Sequence, residues 1–221
     1  MAGALTLTGG LIVDPSTRHC AVGDLFLVDG RVAGMAPVGA HEPVGEVLPV
    51  AGLVVAPGLI DVHVHLREPG QEHKETIASG TRAAVAGGYT AVCCMPNTTP
   101  ALDRAERVAA LYERVVATAA CPVYIIGACS LDNVPGQPSD VAGLAAAGCV
   151  AISDDAFPLT TDAQRRAALE AAAAADLPCV VHCEDRTLSG GAPVNEGRVS
   201  RELGVAGQPV AAESRVARSW L

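Results

Sequence analysis

The chain has 221 residues, half of them hydrophobic and only 3% aromatic, so its core must be built from Ala, Val, Leu and Ile. A formal net charge of −9, a pI near 5.0 and the absence of any basic run argue against a nucleic-acid binder, since phosphate contacts need clustered Lys and Arg. The opening MAGALTLTGGLIVDPS lacks a basic leader, no apolar stretch reaches the roughly 18 residues of a membrane helix, and the eight cysteines form no CxxC pair; together these point to a cytoplasmic protein with buried free thiols.

The first fifty residues alternate short apolar runs with turn signals. Asp29–Gly30, between LFLV and RVAGM, marks a hairpin, and the segment reads as a small antiparallel β unit that needs further strands to be stable. From about residue 53 the rhythm changes. LIDVHVHL (59–66), TAVCCM (90–95), PVYIIGA (122–128), CVAIS (149–153) and PCVVHC (178–183) read as strands. Between them lie helical stretches: ETIASGTRAAVAGG, a segment with Val108, Leu111, Tyr112 and Val115 on one face, SDVAGLAAAG, and TTDAQRRAALEAAAAAD with a capping box at Thr161 and Gln164. A last helix starts with Pro209 in its first turn.

Five consecutive βα units predict a parallel sheet with helices outside it. No GxGxxG or GxxxxGK occurs, so the nucleotide-binding version of such a sheet lacks its phosphate loop. Polar residues gather instead at strand C-terminal ends, where a (β/α)8 barrel builds its site. The fold expected is α/β: an incomplete (β/α)8 barrel of about five units over residues 53–221, preceded by a small β-sandwich portion over residues 1–52.

Side chains alternate along a strand, so His63 and His65 point the same way and two imidazoles there suit one divalent ion. Asp154 and Asp155 follow the fourth strand of this series and His182 ends the fifth; a carboxylate between two ions can bridge them. Arg67, two residues after His65, is on the same face if the strand persists, and its fork suits a carboxylate. Asn97, in CMPNTTP, offers an amide donor and acceptor. His19, His41 and His73 read as surface residues in loops or turns.

The run DVHVHLREPG closely resembles the first signature of dihydroorotases, in the amidohydrolase superfamily, and GTRAAVAGGYTAVCCMPNTTP, SDDAF and VVHCED follow in the family's order. The resemblance implies a zinc-dependent cyclic amide hydrolase interconverting N-carbamoyl-L-aspartate and (S)-dihydroorotate in pyrimidine (UMP) biosynthesis. It also implies two Zn2+ per complete site, with His63 and His65 on the first, His182 on the second, Asp155 as the bridge that takes part in catalysis, and Arg67 and Asn97 on the substrate carboxylate. An aspartate carbamoyltransferase and a second copy of the chain are the partners it suggests. Hydantoinases, dihydropyrimidinases and allantoinases are similar but bridge their metals with a carboxylated lysine, and no lysine follows Lys74; a cyclic amidase of that kind, or a non-catalytic subunit of a carbamoyltransferase complex, is the alternative. The sequence departs from the family at Ala156, where Gly is usual. The resemblance further implies a metal-binding histidine on a sixth strand and a general-base aspartate on an eighth, both beyond Leu221, so the 221 residues are expected to be a C-terminally truncated form with little activity alone.

Overall fold

The computed structural model describes residues 3–221. The chain divides into two compact units, Met1–Gly58 and Leu59–Leu221.

The first unit holds one five-stranded sheet. Strands β1 (Ala4–Asp14), β2 (His19–Val28) and β3 (Arg31–Ala36) form an antiparallel meander. The β2–β3 turn is the expected one: Asp29 and Gly30 both have positive φ (50° and 74°), the conformation of a tight hairpin turn. Strands β4 (Glu46–Pro49) and β5 (Val54–Val55) pair with β1 in parallel, so the sheet is mixed and not wholly antiparallel. The cause is the loop that returns the chain to the far side of β1. Buried Thr6 donates to the Val44 carbonyl (2.9 Å) and accepts from the Val44 amide (2.8 Å). Buried Asp24 accepts from Thr8 Oγ1 (2.6 Å) and the Gly39 amide (2.8 Å), and these bonds hold its carboxyl below the ordinary value. His19 opens β2 opposite Asp14, where a loop was expected; His41 and His73 lie outside strands and helices.

The second unit is a parallel sheet in the order β10-β9-β8-β7-β6. Its elements are β6 (Leu59–Val64), α1 (Ile77–Ala86), β7 (Tyr89–Cys94), α2 (Ala105–Thr118), β8 (Val123–Ala128), α3 (Val141–Ala146), β9 (Ala151–Ser153), α4 (Asp162–Ala174) and β10 (Cys179–Val180). Then come α5 (Arg186–Ser189), β11 (Val194–Asn195), α6 (Arg198–Leu203), β12 (Gly207–Gln208) and α7 (Val210–Ser219), the last capped by Pro209 rather than containing it. Each new strand is laid beside the previous one. No strand order reverses, so there is no switch point of the doubly wound kind, and the sheet grows as part of a barrel does.

Period-2 alternation gives the sheet two buried faces. Val92, Cys94 and Ile125 pack with Val108, Leu111 and Leu144 under the helices, and Ile152 packs with Val141, Leu159 and Ala172. Cys93, Met95, Ile126 and Ala151 form the cluster on the other face. The buried residues of all three are aliphatic or sulfur-bearing, and the eight cysteines are unpaired. The capping box is present, with the Gln164 amide donating to Thr161 Oγ1. No helix of the described residues is long and apolar enough to cross a membrane.

Candidate metal centre

Val64 packs into the cluster under the helices, so His63 and His65 face the opposite side, that of Cys93 and Ile126. There they meet Asp155, whose side chain is 5% exposed. His63 Nε2 lies 3.5 Å from Asp155 Oδ1, and His65 Nε2 lies 3.6 Å from Oδ2. The two imidazoles are edge to face, with ring centres 5.2 Å apart. His182 reaches the same carboxylate from the next strand end, its Nδ1 3.3 Å from Oδ1.

Donor atoms of His63, His65 and Asp155 all lie within 4.8 Å of one another. Ligands of tetrahedral zinc sit about 3.3 Å apart, so two imidazole nitrogens and a carboxylate oxygen at these separations fit such an ion after a small contraction. His182 touches the shared carboxylate but falls outside that cluster of three. All three imidazoles share Asp155, His63 and His182 against Oδ1 and His65 against Oδ2.

Neighbours fix which nitrogen each ring presents. Asn97 Oδ1 lies 3.0 Å from His65 Nδ1, while Asn97 Nδ2 donates to Asp155 Oδ2 at 2.9 Å. With the amide oriented by its donor bond, its oxygen accepts from Nδ1–H, and the lone pair of His65 stays on Nε2. Glu184 Oε2 lies 3.1 Å from His182 Nε2, so with a metal on Nδ1 the ring's one proton would sit on Nε2, facing this carboxylate. Glu184 lies within VVHCED with no role attached to it; an acid two residues after a strand-end histidine is the signal that identifies it.

The charge states follow. Burial pushes His65 below its ordinary value, and the charge of Arg67 adds to this. His182 is raised, first by its bond to Asp155 and then, against burial, by Glu184. Burial alone would raise Asp155, but the bond from His182 and the charges of His65 and His63 outweigh it and the carboxyl ends up lowered. The lowering of Asp155 favours its carboxylate and the lowering of His65 favours the neutral imidazole, the forms that bind a metal.

Asp154 has a different task. Its oxygens accept from the backbone amides of His182 (2.8 Å) and Leu159 (2.9 Å), and burial raises it. The His182 amide is thereby taken out of the ladder. Strand β10 covers only Cys179–Val180, shorter than the run PCVVHC suggests, and His182 stands beyond its end.

Arg67 departs from the expected geometry. The strand does not persist past Val64, and Arg67 is left-handed (φ 62°). Its carbonyl accepts from the Gln71 amide at 3.0 Å, and among the described residues its guanidinium has no carboxylate partner. Neighbouring Glu68 is occupied elsewhere, accepting from the Ile77 amide (3.0 Å) and Arg114 (3.3 Å). The loop that carries Asn97 is tied down at both ends. The Met95 amide donates to the Val64 carbonyl (2.9 Å), and fully buried Asp103 pairs with Arg104 (2.9 Å) and Arg107 (2.7 Å).

A family described as dihydro-orotase-like matches residues 52–220. The dihydroorotase of Solibacter usitatus (strain Ellin6076) is 45% identical over 209 residues, 95% of this chain and 48% of the relative. That of Anaeromyxobacter dehalogenans (strain 2CP-C) is 43% identical over 213 residues, 96% and 49%. That of Pelotomaculum thermopropionicum is 42% identical over 220 residues, 98% and 51%. The chain thus spans about half the length of the curated relatives it matches. Among solved structures, the L-hydantoinase (dihydropyrimidinase) from Arthrobacter aurescens superposes with a TM-score of 0.77 at 19% identity, covering 99% of this chain and 49% of that one, and so shares the fold. The family match spans the residues that include His63, His65, Asp155 and His182, and the chain belongs to the dihydro-orotase-like family.

Proposed function

We propose that this chain contributes the first half of a dihydroorotase site, which interconverts (S)-dihydroorotate and N-carbamoyl-L-aspartate in pyrimidine biosynthesis. The observation that carries the reading is the convergence of three histidines on one buried carboxylate, Asp155. His63 and His65 would hold one Zn2+, His182 a second, with Asp155 between them. Zinc bound there would supply Lewis acidity toward an amide carbonyl.

The chain's own residues account for recognition. Among the described residues the planar fork of Arg67 has no carboxylate partner, and such a fork suits bidentate pairing with the carboxylate of the substrate. Asn97 sits between His65 and Asp155 and is the second candidate for that carboxylate. Holding the substrate at this end fixes where its ring amide lies, and positioning of this kind is worth several kcal/mol. In hydrolysis, water adds to the ring carbonyl, the ring C–N bond breaks and the nitrogen gains a proton. The general base for that proton is the aspartate that the resemblance puts outside these residues.

In the same reading, residues 1–52 are the small β domain and 53–221 the N-terminal part of a complete (β/α)8 barrel. Exposed Val22, Val32, Leu48 and Val54 on the first unit's sheet, and Leu59, Ile60 and Val62 on β6, are apolar positions that further strands of a composite β-sandwich and of the barrel would cover. A cytoplasmic location, a homodimer and a carbamoyltransferase partner belong to this reading as well.

The test is zinc content together with hydrolysis of dihydroorotate beside a hydantoin. It is made on the 221 residues and on a chain extended by whatever the reading frame encodes after Leu221. Zinc uptake with low turnover for the first, and dihydroorotate-selective turnover for the second, are expected. Preference for the hydantoin, or no zinc uptake, overturns the proposal.

A further inference from the structure

Glu184 and Arg186 close a ring of contacts around the second half of the centre. Starting at Asp155, Oδ1 lies 3.3 Å from His182 Nδ1, and His182 Nε2 lies 3.1 Å from Glu184 Oε2. Arg186 Nε lies 3.6 Å from that same Glu184 oxygen. Arg186 Nη2 then donates to the carbonyl of Ala156, the residue after Asp155, which returns the path to its start. The other Glu184 oxygen accepts from buried Ser189 Oγ at 2.6 Å, so the carboxylate cannot swing away.

We propose that Glu184, held by Arg186 and Ser189, is a positioning residue that fixes the tautomer and orientation of His182 for the second metal. The inference rests on the reading of the site as a metal centre. Its physical basis is the asymmetry of the centre: His63 and His65 present Nε2 to the carboxylate, whereas His182 presents Nδ1. To offer a metal the lone pair of Nδ1 the ring must keep its proton on Nε2, and a carboxylate facing Nε2 accepts a hydrogen bond from it and favours this tautomer. His182 stands beyond the end of β10, so no strand ladder sets its ring, and side-chain contacts must. The Arg186 bond to Ala156 links the loop after β9 to the start of α5, coupling the shared carboxylate to the segment that carries the third histidine.

The experiment is cobalt(II) titration of the whole 221-residue chain, read by visible absorption, with zinc competition against a chromophoric chelator. Glu184→Ala should weaken the more loosely held metal equivalent by about 10–100-fold and shift the cobalt band. Glu184→Gln should lie between it and the parent, because its amide oxygen still accepts from Nε2–H. Arg186→Gln and Ser189→Ala should each weaken the same equivalent by a few-fold, because each removes one of the two contacts that hold the Glu184 carboxylate. Native far-UV circular dichroism shows that a variant has folded; should Glu184→Ala misfold, the near-isosteric Glu184→Gln carries the test. Folded glutamate variants with the parent's affinity and band overturn the positioning role while the metal centre stands. A parent chain that takes up neither cobalt nor zinc overturns the metal reading itself and this inference with it.

Discussion

Ala156 offers a test in which one substitution changes sign with its backbone setting. It follows Asp155 in a turn closed by the Phe157 amide on the Asp154 carbonyl (2.8 Å), and it is left-handed, with φ 61°. An L-residue in that region costs about 1–2 kcal/mol through the clash of its Cβ with the following carbonyl. Ala156→Gly removes this cost but gives the unfolded chain more freedom, which takes back about 0.4–1 kcal/mol. A half-buried methyl is also lost, worth a few tenths of a kcal/mol, roughly part of one buried CH2. The net expectation is stabilisation by about 0.5 kcal/mol, or roughly 1–2 °C in Tm for a chain of this size. The assay is urea and thermal unfolding of the full chain beside Ala167→Gly. Ala167 is exposed in the middle of α4, where the same exchange should destabilise by about 1 kcal/mol. If Ala156→Gly destabilises as much as Ala167→Gly, the strain assigned to the turn is refuted.

Three further outcomes are expected. Asn97→Ala removes the acceptor on His65 and a donor to Asp155 together, so zinc affinity should fall by about 10–100-fold; chelator competition checks this, and unchanged affinity would mean the amide does not orient the ligands. Gly70→Ala should cost at least about 2 kcal/mol, since a Cβ there would overlap the Thr99 carbonyl oxygen and the residue has φ +90°. Gly88→Ala, with similar φ (+85°) but nothing within 4 Å, should cost only the backbone share, about 1–2 kcal/mol, and urea unfolding of the pair isolates the clash. In chelator-treated protein, the His182 pair with Asp155 raises the histidine above its ordinary 6.5. Its stabilisation is then fully present below 6.5 and is lost as pH rises through the raised value. An NMR titration of His182 at or below 6.5, or a His182→Gln variant with the parent's slope of stability against pH above 6.5, would contradict the assignment.

Much of the second unit is legible because hydrophobic period maps directly onto faces. The alternation through Val92, Cys93 and Cys94, and through Ile125 and Ile126, divides each strand between the two buried clusters as the sequence pattern requires. What stays hidden is where each backbone amide goes. PCVVHC has the composition of a six-residue strand, yet Asp154 captures the amide of His182 and the ladder stops at Val180. Arg67 follows the alternating run LIDVHVHL but turns left-handed, so period 2 no longer fixes its direction. Likewise β4 and β5 carry ordinary strand residues. Their parallel pairing is decided by Thr6 and Asp24 gripping the intervening loop, contacts between residues 38 and 15 positions apart.

The adjacent pair Asp154–Asp155 shows how far face logic reaches. By composition the two are equivalent. Ala151 belongs to the cluster on the histidine side of the sheet and Ile152 to the cluster under α3 and α4. Continuing the alternation past Ser153 carries Asp154 toward the side of Ile152 and Asp155 toward the histidines. The environments differ accordingly. Asp154 is buried against two backbone amides and its carboxyl is raised, while Asp155 faces three imidazoles and is lowered. Exchanging either for asparagine should therefore have opposite signatures. Asp155→Asn removes the charge on which the histidines converge and should abolish tight zinc uptake with little loss of fold. Asp154→Asn replaces one acceptor oxygen by a donor facing an amide, so it should cost about 1–3 kcal/mol in urea unfolding. It should affect zinc only through displacement of His182. Equal effects of the two variants on zinc and on stability would show that the alternation does not separate ligand from support at this strand end.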